Sequence, residues 1–566
     1  ARRSYHRLRA LLRTSSGTSI AGLRWLRRIT FLVGARGRNI MRRVLAKLFR
    51  LLYLWMETRP VRILIGETGT QAIDMRTPYE QWREAHRARE SDLRGYRQDV
   101  ALLAYRPLIS VVMPVFNPPV HALDDAIGSV LSQAYPDLEL CIADDRSTDP
   151  AVRDVLSAWE TKDPRVRVVY REQNGHIAAA TNSALAIARG AFVAFMDHDD
   201  LLAPDALYHV VKAINRDRTL DVVYTDEDKI DEEGRHSEPH FKPQWCPDHL
   251  LSRNYFGHLV VLRASIVREI GGCREGFEGS QDYDMLLRFT ERTGRIARVP
   301  KVLYHWRRHA GSLAGNEEAK PYAFQAARRA LTEACERRGE PAEIGFLDGF
   351  RGYSVRFTRP LEGKVSVIIP TKDQTEVLGT CLRSLFELTD HPSYEVVVVS
   401  NNSSERGFFA LMEEMERAHG DRFKWLEENM RFNFSALMNK GLAHTTGDQI
   451  LYLNNDTRIA HADWMRTMHE WSQRPSTGAV GVKLLYPNDL IQHAGVLVGL
   501  GGVAWPAFTG QHKDGPGYFN YINMVNNYSA LTAACLMVQR SKVEAIGGWE
   551  EALAVEYNDV DLCLRL

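Results

Sequence analysis

The chain has 566 residues, of which 45 % are hydrophobic and 25 % are charged. This balance is typical of globular proteins and excludes wholesale disorder, and the length allows about two to four domains. The seven cysteines lie far apart and form no CxxC pair. The sequence therefore predicts neither a disulfide framework nor a zinc site, and it favours a reducing compartment.

Positive charge is concentrated at the amino-terminal end, although the formal net charge is only +1. Residues 1–66 carry sixteen Lys or Arg against one acid, Glu57. Apolar residues recur at helical spacing over residues 40–55, with Arg42, Arg43, Lys47 and Arg50 on the other side. This pattern predicts a basic amphipathic helix that lies on an anionic membrane surface rather than on nucleic acid. The alternative is a helix that packs on the next domain.

A membrane-spanning helix is not predicted, because the sequence lacks a run of about twenty uninterrupted apolar residues. Residues 67–106 are mostly polar and predict a helical connector. The first residue is Ala, and the last residues, LCLRL, stop inside a predicted helix. We therefore expect a fragment at both ends.

An internal repeat divides the rest of the chain. The run ISVVMPVFN at 109–117 returns as VSVIIPTKD at 365–373, and QDYDMLLR at 281–288 returns as NDVDLCLR at 558–565. Asn182 precedes Asp199 by seventeen residues, as Asn439 precedes Asp456. Equal spacings at several anchors indicate two copies of one domain. We name them the first copy, residues 107–320, and the second copy, residues 363–566, with a linker over 321–362.

Each copy is predicted to be an α/β domain with a mostly parallel sheet. In the first copy, short β-branched runs alternate with helical segments, which is typical of a parallel sheet covered by helices. Ligands of such sheets bind beyond the carboxyl ends of the strands. Acidic clusters follow two predicted strands, at 144–145 and at 197–200.

The ordered set PVFN, ADDRSTD, QNGHIAAATN, MDHDD and QDYDMLLR resembles the inverting family 2 glycosyltransferases of the GT-A fold. The resemblance covers roughly residues 108–320 and 364–566, and the second copy is similar to rhamnosyl- and O-antigen-type members. It implies a UDP-, dTDP- or GDP-linked sugar donor, a glycan or lipid-linked acceptor, and a divalent metal, Mn²⁺ or Mg²⁺. It also implies a cytoplasmic enzyme, peripheral on the inner face of the cell membrane.

The resemblance assigns roles to the acidic loop of the first copy. Asp199 is expected to bind the metal directly, and Asp197 is expected to face the nucleoside. Hard oxygen ligands of this kind suit a cation that neutralises a leaving diphosphate. His309, or else His305, is expected to complete the metal shell. Solvated loop carboxylates and a surface histidine are the alternatives.

Nucleotide binding and base catalysis fall on other motifs. Pro114 and Asn117 are expected to line the nucleotide pocket after the first strand, and Gly175 to allow close backbone approach there. Asp145 is expected to accept a hydrogen bond from the base. Asp282 matches the family's catalytic carboxylate, which deprotonates the acceptor hydroxyl. Its alternative is a plain helix cap.

The second copy departs from this pattern. Ser400 and Asn401 replace the two aspartates that follow the second strand, so Asn401 is expected to bind the nucleotide differently. Asn454 stands at the nucleoside-facing position, and Asp456 at the metal position. Asp559 retains the base position, but the chain ends seven residues later, so we expect the second copy to be incomplete.

Three other functions are weighed. The second copy is alternatively a non-catalytic module that binds a nucleotide sugar or glycan while the first copy performs the transfer. A nucleotidyltransferase would need a Gly-rich loop with basic residues after the first strand, and MPVFNPPVHA has none. A dinucleotide oxidoreductase would need GxGxxG at the same place, which is also missing.

Overall fold

The computed structural model of the chain describes residues 76–308, 321–347, 349 and 352–566. All of these belong to one compact unit, Arg76–Leu566. The predicted amphipathic helix over 40–55 and His309 lie outside the described residues. Within the described part of the chain, no helix is long and apolar enough to cross a membrane. All seven cysteines are free thiols.

The first copy is built on one mixed sheet with the strand order β3-β2-β1-β4-β8-β6-β9-β5, and β7 pairs with β6. Strands β1 to β4 pair in parallel, whereas β8 runs antiparallel to both β4 and β6. The strands are β1 Ile109–Val115, β2 Leu138–Asp144, β3 Val166–Tyr170, β4 Phe192–Phe195, β5 Leu201–Leu202, β6 Val222–Ile230, β7 His236–His240, β8 Val260–Arg263 and β9 Ile296–Arg307.

Helices cover the sheet of the first copy, as the alternation of segments predicts. The central strand β1 is buried along its whole length except at Pro114, as expected for a strand with helices on both faces. The helices that follow the strands are α3 Val120–Leu131, α4 Pro150–Lys162, α5 His176–Ile187, α6 Ala206–Arg216, α7 Pro247–Ser252, α8 Ala264–Glu269 and α9 Gln281–Thr290.

Two helices of the predicted connector precede this sheet, α1 Pro78–His86 and α2 Glu90–Val100. Thr77 caps α1 through a reciprocal pair of hydrogen bonds with Glu80, which satisfies otherwise unpaired N–H groups of the first turn. Both helices are fixed to the first copy. Tyr79 Oη donates to Asp228 Oδ2 at 2.6 Å, and the ring of Tyr96 stacks on that of Tyr208.

The second copy repeats the core of this topology with the strand order β14-β13-β12-β15-β21-β16. The first four of these strands pair in parallel, and β21 is antiparallel. The strands are β12 Val365–Thr371, β13 Tyr394–Ser400, β14 Phe423–Glu427, β15 Gln449–Leu453, β16 Val480–Gly481 and β21 Cys535–Gln539. The predicted tandem α/β fold is therefore confirmed.

Helices of the second copy are α11 Thr375–Leu388, α12 Arg406–His419, α13 Phe434–Ala443, α14 Trp464–Ser472, α15 Arg540–Ala545 and α16 Asn558–Arg565. Between β16 and β21 lies an insertion with two small hairpins. Its strands are β17 Leu484–Leu485, β18 Ile491–His493, β19 Val496–Val498 and β20 Ala504–Pro506.

The described residues of the segment over 321–362, expected only as a linker, are folded. It contains helix α10 Pro321–Arg337 and an antiparallel hairpin of β10 Ala342–Leu347 and β11 Gly352–Phe357. Buried side chains of α10 and β11 join the core of the first copy. On the other side, the ring of Phe357 meets Trp471 of the second copy edge-on, and Arg356 forms two hydrogen bonds with Glu470. The segment thus joins the two copies.

Candidate active site

The acidic loop at 197–200 follows β4, at the edge where the parallel strands of the first copy end. Its position is fixed from below by Asp200, which is buried. Tyr304 Oη donates to Asp200 Oδ2 at 2.6 Å, and the Arg307 backbone N donates to Oδ1 at 2.8 Å. Burial, followed by the neighbouring Asp197 and Asp199, raises the pKa of Asp200 well above its usual range.

The two carboxylates predicted to serve the donor are less buried than Asp200. Asp197 and Asp199 are half-buried, and the Arg307 Nε donates to the backbone O of Asp199 at 2.8 Å. His198 Nδ1 lies 3.1 Å from the backbone O of Pro114, which connects this loop to the end of β1. Contacts of the loop backbone and of the Asp200 side chain therefore hold the loop in place. Its other two carboxylates are those of Asp197 and Asp199.

Asp282, the expected catalytic base, is the second residue of helix α9 and lies close to this loop. Asn254 Nδ2 donates to Asp282 Oδ2 at 2.9 Å. Burial raises the pKa of Asp282, Asp197 raises it further, and His258 opposes both. His258 is also near the acidic loop, because its Nε2 lies 3.9 Å from Asp197 Oδ2. Its ring stacks on Tyr304.

His258 and Asn254 were missed by sequence reasoning. They belong to the loop 253–258 before β8, which carries no helical or strand periodicity. A comparison of the copies offers one signal. The registers of β8 on β4 and of β21 on β15 align Val261 with Met537. Three residues before Val261 stands His258, whereas Ala534 stands three residues before Met537.

The predicted nucleotide pocket is a network in which Asp145 is the centre. Asp145 Oδ1 accepts from Arg171 Nε at 2.7 Å and from the Gly175 backbone N at 2.9 Å. A Cβ on Gly175 would lie 2.5 Å from Arg171 Nη2 and 2.9 Å from the Cβ of Ala179, so a larger residue would require the guanidinium to move. Asn117 joins two loops, since its Oδ1 accepts from the Thr148 backbone N at 2.8 Å. The predicted residues therefore share one edge of the sheet.

The alternative metal ligand His305 lies elsewhere. Successive residues of a strand point to opposite faces, and Tyr304 faces Asp200 whereas His305 Nδ1 lies 2.5 Å from Asp228 Oδ1. His236 Nδ1 lies 2.8 Å from the other oxygen of Asp228. Among the described residues, only this trio of Asp228, His236 and His305 has potential metal-ligating atoms all within 4.8 Å of one another.

In the second copy the corresponding positions make different contacts. Asn401 Nδ2 donates to the backbone O of Glu428 at 3.0 Å and of Met430 at 2.9 Å. The Asn454 backbone N donates to the backbone O of Ala534 at 3.0 Å. Asp456 is exposed.

Within the described part of the chain, the carboxylate of Asp559, at the start of α16, accepts hydrogen bonds from backbone N–H groups only. Its Oδ1 accepts from the Val560 N at 2.9 Å, and its Oδ2 from the Ala533 N at 3.3 Å. Both contacts are those of a helix-start carboxylate and an adjacent loop.

The model of the family described as Glycosyl transferase family 2 matches residues 110–273 and 366–494. These two matches fall in the first and the second copy and together cover more than half of the chain. The chain therefore belongs to glycosyl transferase family 2, and the resemblance drawn from its motifs is confirmed.

Two curated relatives match most of the chain. The uncharacterized protein y4gI of Sinorhizobium fredii is 46% identical over 474 residues, which are 81% of this chain and 51% of the relative. The O-antigen biosynthesis protein RfbC of Myxococcus xanthus is 38% identical over 474 residues, which are 83% of this chain and 37% of the relative. The chain thus spans about half of the length of the first relative and less of the second.

Among solved structures, the mannosyltransferase PcManGT from Pyrobaculum calidifontis, in complex with GDP-Man and Mn²⁺, is similar to part of the chain. It is 19% identical, with a TM-score of 0.33, over 43% of this chain and 72% of that chain.

Proposed function

We propose that the chain transfers a sugar, with inversion, from a nucleotide-sugar donor to a hydroxyl of a growing cell-surface polysaccharide or lipid-linked glycan. The first copy performs the transfer. The observation that carries this proposal is that Asp197 and Asp282, which lie in different elements, are both close to His258. Donor and acceptor chemistry each need a carboxylate, and both are present at one edge of the sheet.

On the donor side, Asp199 would bind a divalent cation directly, beside Asp197, which would face the nucleoside. Both are half-buried carboxylates on one loop, and hard oxygen ligands fit Mg²⁺ or Mn²⁺. When bound, such a cation stabilises the negative charge that develops on the leaving diphosphate. Asp145 and the Gly175 backbone N lie at the same edge, where the nucleoside would bind.

On the acceptor side, Asp282 is the general base. One of its oxygens takes the proton of the acceptor hydroxyl while that oxygen attacks the anomeric carbon and the bond to the diphosphate breaks. Asn254 donates to Asp282 Oδ2 and so orients the carboxylate. Because burial raises the pKa of Asp282, its ionised form is a stronger base than an exposed aspartate.

The test is a transfer and donor-hydrolysis assay over UDP-, dTDP- and GDP-sugars, with and without Mn²⁺ or Mg²⁺. We expect turnover of at least one donor that stops in excess EDTA and returns with metal. Asp199→Asn should abolish this turnover, and the matched variant Asp456→Asn in the second copy should retain most of it. Full turnover in excess EDTA would contradict the proposed metal dependence, and inactivity with every donor would contradict the proposed function.

A second role is proposed for the second copy, namely a module that binds a nucleotide sugar or glycan without transferring it. It is favoured because Ala534 stands at the position of His258, and because Asp559 accepts from backbone N–H groups. Calorimetric titration of the donor should then detect two binding sites in the unmodified chain, of which Asp145→Asn weakens one.

We also propose that the basic segment over residues 1–66 holds the chain on the inner face of the cell membrane. Each Lys or Arg near an anionic surface contributes about 1 kcal/mol. Replacing Arg42, Arg43, Lys47 and Arg50 by Glu in the full chain should therefore release it from vesicles containing phosphatidylserine, and salt should release the unmodified chain. Vesicle binding that survives both treatments would favour the packing alternative.

A further inference from the structure

The loop 253–258 delivers two side chains to the candidate active site, and its backbone is held by Glu227. Glu227 Oε2 accepts from the His258 backbone N at 2.7 Å. Gly257, at φ +47°, brings the loop onto this carboxylate, because a Cβ there would lie 2.5 Å from Glu227 Oε2. The position of His258 beside Asp197 therefore depends on where Glu227 is held.

A buried lysine completes this support. Lys242 is almost fully buried, and its Nζ donates to Glu227 Oε2 at 3.0 Å. The same Nζ donates to the backbone O atoms of Phe256 and His258, each at 2.5 Å. Its three protons are thus directed at Glu227 and at the two carbonyl groups of the loop.

The second copy contacts this cluster through Tyr521, which is hydrogen-bonded to His240 of the first copy. His240 Nδ1 lies 3.3 Å from Glu227 Oε1, and His240 Nε2 lies 2.7 Å from Tyr521 Oη. Burial alone would raise the pKa of Glu227, but Lys242, His240 and His258 outweigh it and lower the pKa to about 2. An ionised carboxylate only accepts. His240 Nδ1 therefore donates to Glu227, and Tyr521 Oη donates to Nε2.

Neighbouring residues of the second copy strengthen this contact. Phe519 stacks on the ring of His240, and its backbone O accepts from Arg253 Nη1 at 2.9 Å. Tyr518 Oη accepts from the Phe241 backbone N at 2.6 Å and donates to the Pro239 backbone O at 2.7 Å. Residues 518–521 thus contact both β7 and the first residue of the loop 253–258.

We infer that residues 518–521 of the second copy are a positioning element of the first copy's active site. They fix His240 and Arg253, and through Glu227 they fix the loop that carries Asn254 to Asp282 and His258 to Asp197. The kinetic part of this inference rests on the proposed function. The second copy then contributes to catalysis without contacting substrate, whether or not it binds a donor itself.

The test compares Tyr521→Phe with Tyr486→Phe in the full chain, Tyr486 being an exposed tyrosine of the same copy. Tyr521→Phe removes one hydrogen-bond donor and keeps the ring. We expect faster hydrogen exchange over residues 253–258 in Tyr521→Phe alone. We also expect kcat to fall by about ten- to a hundredfold, since small misplacements of catalytic groups are costly, with the donor Kd unchanged.

A double-mutant cycle separates positioning from general damage. The loop carries both His258 and Asn254, so Tyr521→Phe should lower kcat by a smaller factor in the His258→Ala background than in the unmodified chain. Additive losses, or unchanged exchange over 253–258, would overturn the inference. The exchange measurement needs no turnover, so it decides the physical coupling even if the chain transfers no sugar. Inactivity of the unmodified chain would count against the proposed function alone.

Discussion

The two copies share a scaffold and differ in the polar groups that the scaffold presents. In the first copy Ser110 Oγ donates to Glu139 Oε1 at 2.7 Å and accepts from the Gly190 N at 2.8 Å. In the second copy Ser366, Glu395 and Gly447 make the same contacts at the same distances. This cluster is internal to the sheet and serves the fold in both copies.

A second pair of hydrogen bonds, also present in both copies, joins a helix to a distant loop. Asn182 exchanges two hydrogen bonds with the Cys273 backbone, and Asn439 exchanges two with the Trp549 backbone. The repeat was recognised partly by Asn182 and Asn439, so these two anchors report the fold rather than the chemistry, as Gly190 and Gly447 do.

The site positions do not match in this way. Asp145 accepts hydrogen bonds from Arg171 and Gly175, whereas Asn401 donates to two backbone carbonyl groups. His258 has Ala534 at its position. One scaffold has thus been kept in both copies while its hydrogen-bonding groups have been exchanged, so activity is expected from the first copy.

The largest effect is expected from Asp282→Asn. This change keeps the size of the side chain and its contact with Asn254 but removes the proton acceptor. We expect kcat to fall by about 10²–10⁴-fold, the usual contribution of a general base, while the donor Kd stays the same. Asp559→Asn in the second copy is the matched control and should leave transfer nearly unchanged.

Steady-state kinetics of both variants, with one donor and one acceptor, check this prediction. If Asp559→Asn loses transfer and Asp282→Asn keeps it, the working site has been assigned to the wrong copy.

Smaller effects, different in kind in the two copies, are expected at Asp145 and Asn401. Asp145→Asn weakens the contact with Arg171 and should weaken donor binding by about tenfold, because hydrogen bonds to charged groups contribute about 1.5–3 kcal/mol. Asn401→Asp places a carboxylate against the carbonyl groups of Glu428 and Met430. It should instead destabilise the fold, by about 1–3 kcal/mol.

Calorimetric titration of the donor and urea unfolding of both variants make this check. Equal losses of donor affinity in the two variants would mean that the copies bind nucleotide alike, contrary to the contacts described above.

The sequence was sufficient for what depends on order and spacing. The repeat predicted both sheets, and the motifs placed Asp197 and Asp282 at the ends of elements that meet. It was insufficient where a side chain comes from a loop without periodicity, as with His258 and Asn254. Spacing alone also did not decide which face of β9 carries His305. That depends on the register of β9 with β6.

The folded character of residues 321–362 was missed for a similar reason. Apolar residues of α10 and β11 are interleaved with charges, and their partners lie in both copies. The segment is ordered by contacts with residues distant in sequence, such as those of Phe357 with Trp471 and of Arg356 with Glu470.

The smallest effect is expected at the contact between the copies, as a dependence of stability on pH. Burial lowers the pKa of His240 from 6.5 to about 4, and the pKa of Glu227 is lowered from 4.5 to about 2. For both groups the unfolded chain binds more protons than the folded chain in acid, so stability falls as pH falls. The loss from His240 lies between about pH 6.5 and 4, and that from Glu227 between about pH 4.5 and 2.

We therefore expect the Tm to fall by several degrees between pH 7 and pH 4.5, since about 1 kcal/mol corresponds to about 2–4 °C in a domain of this size. His240→Gln removes one of the titrating groups and should make this fall shallower, although its Tm at pH 7 is lower because the contact with Tyr521 is altered. His444→Gln, at an exposed histidine of the second copy, is the matched control and should follow the unmodified chain. Thermal unfolding across this pH range makes the comparison. A His240→Gln curve as steep as that of the control would show that the acid sensitivity arises at other buried histidines, such as His249, His391 and His493, whose pKa values are also lowered to about 4 by burial.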